Sequence, residues 1–306
     1  HTFSKTEIIS YLSFLILFIF IIKSLLSFFL QRKIVYFSYN VLHQVRRKII
    51  LNFDSIAFLK LKSKKVSSII QIANYHTVVF TSQTLIPLLR IISEIFILLC
   101  ILIFLAYTNF IAVTLIFIIF ATISIIFYSY IKKDIDETAI ITADISEKLI
   151  NSIMELINGF TEIKIFNKTQ FFIDQFNKSS EIYTNAASKF ASIQLIPRYL
   201  LEISLIIFVC SFILISHFLK TNSTTLIFDL SLFLAASLRI LPSLNQLIGN
   251  LNHLRYSKRY LEDIHNEIIE KTNVIENLSP IYRKENIGEF KKFELKNINF
   301  SYNDNQ

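Results

Sequence analysis

The chain has 306 residues, of which 53% are hydrophobic and only 18% are charged, whereas ordinary soluble domains carry about 25% charged residues. This apolar composition excludes a disordered chain, and the low numbers of glycines and cysteines exclude a collagen-like protein or a disulfide scaffold. Gly159, Gly249 and Gly288 lie too far apart to form a glycine-rich phosphate loop. The composition therefore predicts a protein that crosses a membrane several times.

Five apolar runs are long enough to cross a bilayer, which requires roughly 20 apolar residues. They cover residues 9–30, 85–106, 110–131, 199–219 and 226–247. Short polar turns separate the second run from the third and the fourth run from the fifth. We expect each run to form a membrane-spanning helix.

The net charge of +8 is concentrated in the connections between these runs. Segment 31–84 carries nine Lys and Arg residues and one acid, whereas the turn 107–109 carries no charge. Because basic residues are retained in cytoplasmic loops, we expect 31–84, 132–184 and everything after about 251 to be cytoplasmic, with the N-terminus outside. Positive loops account for the charge, so no nucleic-acid partner is expected.

The two cytoplasmic connections do not have the composition of loops. Segment 31–84 contains no Gly or Pro, and segment 132–184 contains one Gly and no Pro. Apolar residues recur at helical spacing between Ile141 and Leu156. The spanning helices are therefore expected to continue beyond the membrane as two long hairpins, with tips near 55–65 and 158–168. An apolar tip could dock a soluble domain, and the alternative is a solvated turn.

The last part of the chain changes character. A polar linker, 269–289, is followed by an alternation of apolar and polar residues at 290–306 that predicts strands. So short a piece cannot form a domain. We expect it to be the opening of a soluble domain, and the chain to be an excerpt of a longer protein.

A helical membrane domain with two long internal hairpins, followed by F-E-L-K-N-I-N-F-S-Y at 293–302, resembles an ABC exporter half-transporter of type 1. The resemblance implies an all-α domain over 1–268 with five of the six family spans, then the first strands of a truncated nucleotide-binding domain. It implies that Tyr302 stacks on the adenine of ATP, and a ring at a strand end can offer its face to a base. ATP and Mg²⁺ would be bound by the full-length ATPase, because this fragment lacks the ATP-hydrolysing motifs.

The stretch E-L-I-N-G-F-T-E-I-K-I-F-N-K at 155–168 resembles the second coupling helix of these exporters, which docks into the nucleotide-binding domain of the other subunit. The resemblance assigns this role to Glu155, Gly159, Phe160, Glu162, Ile163, Lys164 and Phe166. The first coupling helix corresponds to about 55–65, although its usual glycine is missing, and its candidate residues are Phe58, Leu59, Lys60 and Leu61. The implied partners are a second subunit, in a homodimer, the nucleotide-binding domain and membrane lipid.

A subgroup is indicated by the sequence of residues 234–256. It looks like the last span of exporters that flip lipid-linked oligosaccharides, with matches at Arg239, Pro242, Ser243, Asn245, Arg255 and Tyr256. The stretch P-R-Y-L-L-E at 197–202 resembles the start of that subgroup's fifth span. The resemblance implies ATP-driven export or flipping of a lipid-linked saccharide or phospholipid in a bacterial inner membrane. The alternatives are a peptide, toxin or drug exporter and, from another class, a membrane sensor with a cytoplasmic catalytic domain.

Arg239 is the leading candidate for contacting an anionic substrate, because a charge inside a membrane normally faces a cavity or a partner. The residues four positions away are Ala235 and Ser243, so Arg239 is expected to be unpaired on its helix. Its guanidinium fork matches the oxygens of a phosphate group. Lys23 is a second candidate, since it lies more than a helical turn from either end of its apolar run.

The remaining charges inside or beside the spans admit two interpretations. Arg90 with Glu94, and Arg198 with Glu202, lie four residues apart. Each of these groups could line the substrate cavity, or each pair could close on its own helix.

No catalytic triad, Cys-His pair or carboxylate pair emerges from the sequence, and the six histidines are scattered. No metal site is therefore expected. Cys100 and Cys210 both lie in apolar runs, so we expect them to be buried free thiols.

Overall fold

The computed structural model describes residues 5–54, 65–218 and 223–275, together with Lys292, Glu294 and Lys296. The described residues are all-α, without a strand among them. Their helices are α1 (Lys5–Asp54), α2 (Val66–Thr108), α3 (Phe110–Asn158), α4 (Phe160–Ile165), α5 (Thr169–Ile193), α6 (Ile196–Phe218) and α7 (Ser223–Ile275).

Five helical stretches are long and apolar enough to cross a membrane, and such a set indicates an integral membrane protein. The 49 residues of α3 are about 74 Å long, more than twice the roughly 30 Å thickness of a hydrocarbon core. The helix α3 therefore continues without a break past the end of the apolar run 110–131, and its extension beyond a membrane stays a prediction. We call residues inside the five apolar runs the spanning section, and the described residues at 31–54, 65–84, 132–198 and 248–275 the extension section.

The spanning section packs α2, α3, α6 and α7 around an apolar core. Three phenylalanines form its centre, with the rings of Phe208 and Phe212 stacked at 5.9 Å and Phe233 beside both. At the α2–α3 turn, Asn109 accepts a hydrogen bond from the Ala112 amide, so it caps α3. The Asn109 side chain also donates to Asp229 at 2.7 Å, which ties this turn to α7.

In the extension section, α3 and α5 form a hairpin with α4 at its tip, and α7 packs alongside α3. Its core combines apolar and polar side chains, among them Ile135, Phe190, Tyr256 and Tyr260. The start of α2 joins this core through two π-helical sections, Gln71–His76 and Phe80–Leu85. A π-turn widens the helix locally, and here it directs Gln71 and His76 into the interior.

The two ends of α1 differ in their packing. Every residue from 11 to 30 is exposed, whereas Ser38, Leu42 and Ile49 are buried. Arg46 fastens this second half to α2, donating to the Thr77 hydroxyl at 3.1 Å and to the Asn74 side chain at 2.8 Å.

The prediction that Cys100 and Cys210 are buried is wrong, because both free thiols are exposed. In a soluble protein an apolar run packs against the core, but in a membrane helix the same run also covers the side that faces lipid. An apolar neighbourhood in sequence therefore does not establish burial for these two residues.

Several predictions lie outside the described residues. They are the first coupling helix with Phe58, Leu59, Lys60 and Leu61, the adenine-stacking Tyr302, and the strands at 290–306 apart from Lys292, Glu294 and Lys296. These three residues adopt neither helix nor strand.

Candidate functional site

A cavity of about 680 Å³ opens between α1, α2 and α7 within the spanning section. It brings together Lys23 from α1 and Arg239 from α7, the two cations that the sequence singles out as substrate contacts. We call it the Arg239 cavity, and its lining consists of Lys23, Ser27, Phe96, Ile97, Cys100, Ile101, Phe104, Leu105, Leu232, Ala235, Ala236 and Arg239.

Small side chains leave room for the Arg239 guanidinium. Ala235 and Ala236 lie one turn before Arg239 on α7, and both line the cavity. The wall opposite is built from α2, where Phe96, Cys100 and other apolar residues follow one another at helical spacing. The cavity therefore has apolar walls with a cation on each of two helices.

Arg239 is not unpaired, which corrects the sequence-based expectation. Its Nη2 lies 3.8 Å from Oε2 of Glu94, a residue of α2 that is only 5% exposed. The acid comes from a neighbouring helix, so inspection of positions 235 and 243 could not reveal it. The same Oε2 has no hydrogen-bond partner among the described residues, which makes this a loose ion pair.

The formal charges of this site do not cancel. Lys23 and Arg239 contribute two positive charges, and Glu94 contributes one negative charge. Lys23 also lies 5.2 Å from the ring centroid of Phe20 on its own helix, a cation–π contact. An anionic group that entered the cavity would meet a surplus positive charge.

Arg198 and Glu202 lie in a different place. Arg198 Nε donates to Glu202 Oε1 at 3.1 Å, so this pair closes on α6, which is the second of the two interpretations offered by the sequence. Both residues line a separate cavity of about 420 Å³ with Pro242 and Asn245 of α7. Arg90 is half-buried and is not among the lining residues of the Arg239 cavity.

The tip of the α3–α5 hairpin presents an apolar surface. Gly159 ends α3, and α4 then carries Phe160 and Ile165, which are both exposed, while Ile163 is buried against the hairpin. A Cβ at Gly159 would lie 3.1 Å from the Glu155 carbonyl oxygen, a tight contact that the neighbouring atoms would have to relieve.

The other residues proposed for the second coupling helix also lie at this tip. Glu155 accepts a hydrogen bond from Asn151 at 2.6 Å, and Lys164 lies 5.8 Å from the ring centroid of Phe160. Phe166 is exposed directly after α4, and Glu162 lies in its first turn.

Arg255 and Tyr256 are the last two residues of the stretch 234–256 that indicates the subgroup, and both contact α3. The Arg255 guanidinium forms a two-pronged ion pair with Asp136 of α3, with Nε donating at 2.7 Å, and it also donates to the Tyr128 hydroxyl. Tyr256 shares a hydrogen bond of 2.8 Å with Thr142, and Tyr260 donates to the same hydroxyl at 2.9 Å. These contacts join α7 to α3.

His76 is a buried histidine that the sequence analysis did not single out. It lies in the extension section, nine residues before the apolar run 85–106, and its ring meets Tyr260 edge-on at 5.0 Å. Its Nδ1 lies 3.5 Å from Asp263, but burial, followed by the neighbouring charge of Arg259, lowers the pKa of His76 to about 4. The imidazole is therefore neutral at pH 7.

Some of the contacts that the sequence analysis missed do have a signal in the sequence. Glu94 is the one acid in the run 85–106, and a lone intramembrane acid calls for a partner somewhere in the fold. Tyr256 and Tyr260 are four residues apart, which places them on one face of α7. Nothing local to either tyrosine identifies Thr142 as the partner.

The described residues contain no cluster of three or more metal-ligating side chains. Compared with models of known protein families, the chain matches none. The functional assignment therefore depends on the motifs and on the geometry of the Arg239 cavity.

Proposed function

We propose that the chain is the membrane-spanning part of an ATP-driven exporter or flippase that moves an amphipathic anionic substrate, namely a lipid-linked saccharide or a related phospholipid. The observation that carries the proposal is the Arg239 cavity, where Lys23 and Arg239 from two helices line one apolar space. The resemblance to ABC exporters supplies the energy source and the direction of coupling.

The chemistry of the cavity suits a phosphorylated lipid. A guanidinium presents parallel donors to two oxygens of one phosphate, and an ammonium acts as a second point charge. The apolar lining accommodates the hydrocarbon part of the same molecule. Glu94 lies 3.8 Å from Arg239 and forms no hydrogen bond with it. A phosphate that entered the cavity would therefore have a more favourable geometry for binding the Arg239 guanidinium than Glu94 has.

The hairpin tip supports the coupling part of the proposal. Phe160, Ile165 and Phe166 form an exposed apolar surface, of the kind that marks a docking site. The tip lies about 28 residues beyond the end of the run 110–131, or about 42 Å along the helix. A nucleotide-binding domain docked there would move the spanning section through α3 and α5.

The decisive experiment is ATP-driven transport by the full-length protein in liposomes. Fluorescent lipid-linked saccharide would be reconstituted with the protein, and its appearance in the opposite leaflet would be measured with a membrane-impermeant quencher. Arg239→Gln removes a charge-assisted contact worth about 1.5–3 kcal/mol, so we expect roughly a 10- to 100-fold loss of transport. Arg198→Gln is the matched control, because Arg198 lines a different cavity.

Two outcomes would contradict the proposal. Unchanged transport in Arg239→Gln would remove the anion-binding role of the cavity. No ATP-dependent movement of any lipid by the wild-type protein would favour the membrane sensor or the peptide, toxin or drug exporter.

A further inference from the structure

A second cavity between α3 and α7 has no part in the proposed transport site. It has a volume of about 540 Å³ and a floor formed by Leu98 and Leu102 of α2. We call it the α3/α7 groove. Its walls include Ile116, Phe117, Lys132, Ile240, Leu247 and Asn252.

The groove is apolar at one end and polar at the other. Ile116 and Ile240 lie well inside the apolar runs, whereas Lys132 directly follows the run 110–131 and Asn252 follows the run 226–247 by five residues. From Ile116 to Lys132, α3 rises about 24 Å, compared with about 15 Å for the hydrocarbon of one leaflet. The groove therefore extends from inside the bilayer to its surface.

The amide of Asn252 requires a partner. Asn252 is 1% exposed, yet neither its side-chain nitrogen nor its oxygen has a hydrogen-bond partner among the described residues. Leaving a buried polar group unsatisfied costs about 1–3 kcal/mol, so such groups are normally paired. An occupant of the groove with polar oxygens at this end would supply the missing bond.

The positive charge of Lys132 is available at the same end. Lys132 is half-buried, and the acids closest to it in sequence are engaged elsewhere. Asp134 pairs with Lys189 at 2.8 Å, and Asp136 pairs with Arg255. The polar end of the groove therefore complements an anion.

We propose that the α3/α7 groove binds one anionic phospholipid. Its acyl chain lies along the apolar walls, its phosphate lies beside Lys132, and Asn252 donates to a phosphate or ester oxygen. Basic pockets between membrane helices on the cytoplasmic side bind anionic headgroups. The proposal requires that α3 and α7 span a membrane, but it does not depend on transport activity.

The absence of tryptophan from the chain allows a direct test. Phe117→Trp places an indole in the groove, because Phe117 lines it and is 60% exposed. Any tryptophan that the full-length protein carries outside these 306 residues would be replaced by phenylalanine. The full-length protein would be reconstituted with brominated phosphatidylglycerol or brominated phosphatidylcholine, whose bromines quench tryptophan on contact. One basic residue near a membrane surface contributes an attraction equivalent to about a fivefold change in affinity, so we expect about a fivefold preference for the anionic lipid.

Three further variants identify the source of that preference. Lys132→Gln should abolish it, whereas Lys133→Gln should retain it, because the neighbouring Lys133 is exposed and does not line the groove. Phe14→Trp on the exposed first half of α1 should be quenched equally by both lipids.

The proposal would be overturned by equal quenching of Phe117→Trp by both lipids, or by equal losses in Lys132→Gln and Lys133→Gln. Weak quenching of Phe117→Trp by either lipid would also overturn it, and would indicate that a second copy of the chain covers the groove.

Discussion

The spanning section and the extension section are formed by the same long helices, but different forces hold the helices together. In the spanning section, Phe208, Phe212 and Phe233 pack without hydrogen bonds, and the interhelical ion pair Glu94–Arg239 is 3.8 Å long. In the extension section, buried hydroxyls and amides bond across helices, as in the cluster of Thr142, Tyr256 and Tyr260.

This difference bears on which part of the molecule can move. Apolar packing is non-directional, so helices in the spanning section can rotate or slide against one another at modest cost. Directional hydrogen bonds in the extension section fix the register of α7 on α3. A motion that begins at the hairpin tip would therefore be transmitted through the extension section as a rigid body and would change the packing in the spanning section.

The largest effect that would test this comparison is expected at Tyr260. Tyr260 is fully buried and donates to the Thr142 hydroxyl, so Tyr260→Ala removes both a packed ring and a hydrogen bond. Large-to-small substitutions of buried aromatic residues cost about 3–5 kcal/mol. We expect a loss of this size in unfolding measurements on the protein in detergent micelles. Tyr39→Ala, at an exposed position of α1, should change stability by less than about 0.5 kcal/mol.

Tyr260→Phe separates the hydroxyl from the ring. The variant keeps the packing and loses the bond to Thr142, so we expect a cost of about 1–2 kcal/mol. If Tyr260→Phe were as stable as the wild type, the extension section would be held by packing alone, as the spanning section is, and the comparison would fail.

The second effect is a loss of stability at acidic pH, which we expect His76 to cause. Because the pKa of His76 is lowered to about 4 in the folded protein, and is near 6.5 in the unfolded chain, the unfolded state binds the proton first as the pH falls. The stability of the extension section is therefore complete above about pH 6.5 and decreases between pH 6.5 and 4. At about 1.4 kcal/mol per pH unit, the loss reaches about 3 kcal/mol.

Thermal unfolding midpoints at pH 7.5 and pH 5 would measure this effect in the wild type and in His76→Gln. Glutamine does not titrate, so the variant should lose less stability on acidification. An equal loss in both proteins would assign the acid sensitivity to another group, of which His253 is the first to consider because burial lowers its pKa. The half-buried Asp263 beside His76 is not such a group, since its pKa is raised and its protonation favours the folded state.

The sequence predicts the local features of this protein better than the contacts between helices. The helix lengths and the turn at Gly159 follow from the residues in place, because apolar runs, helical spacing and glycine act over a few positions. The partners of Arg239, Arg255 and Tyr256 depend on how each helix is rotated against its neighbours, and one sequence does not encode that rotation locally. For the same reason, the apolar surroundings of Cys100 could not distinguish a protein-facing from a lipid-facing side.

The smallest effect compares an ion pair between two helices with an ion pair within one helix, by replacing a carboxylate with an amide of the same shape. Asp136→Asn weakens the two-pronged pair that joins α3 to α7 through Arg255. Since this carboxylate is 44% exposed, solvent screening limits the expected loss of stability to about 1 kcal/mol.

Glu202→Gln weakens an exposed pair within α6, for which a loss of about 0.3–0.5 kcal/mol is expected. Unfolding in micelles with both variants side by side would measure the difference. A larger loss in Glu202→Gln would mean that the pair within α6 stabilises the protein more than the pair between α3 and α7, and the importance given to interhelical contacts in the extension section would then be wrong.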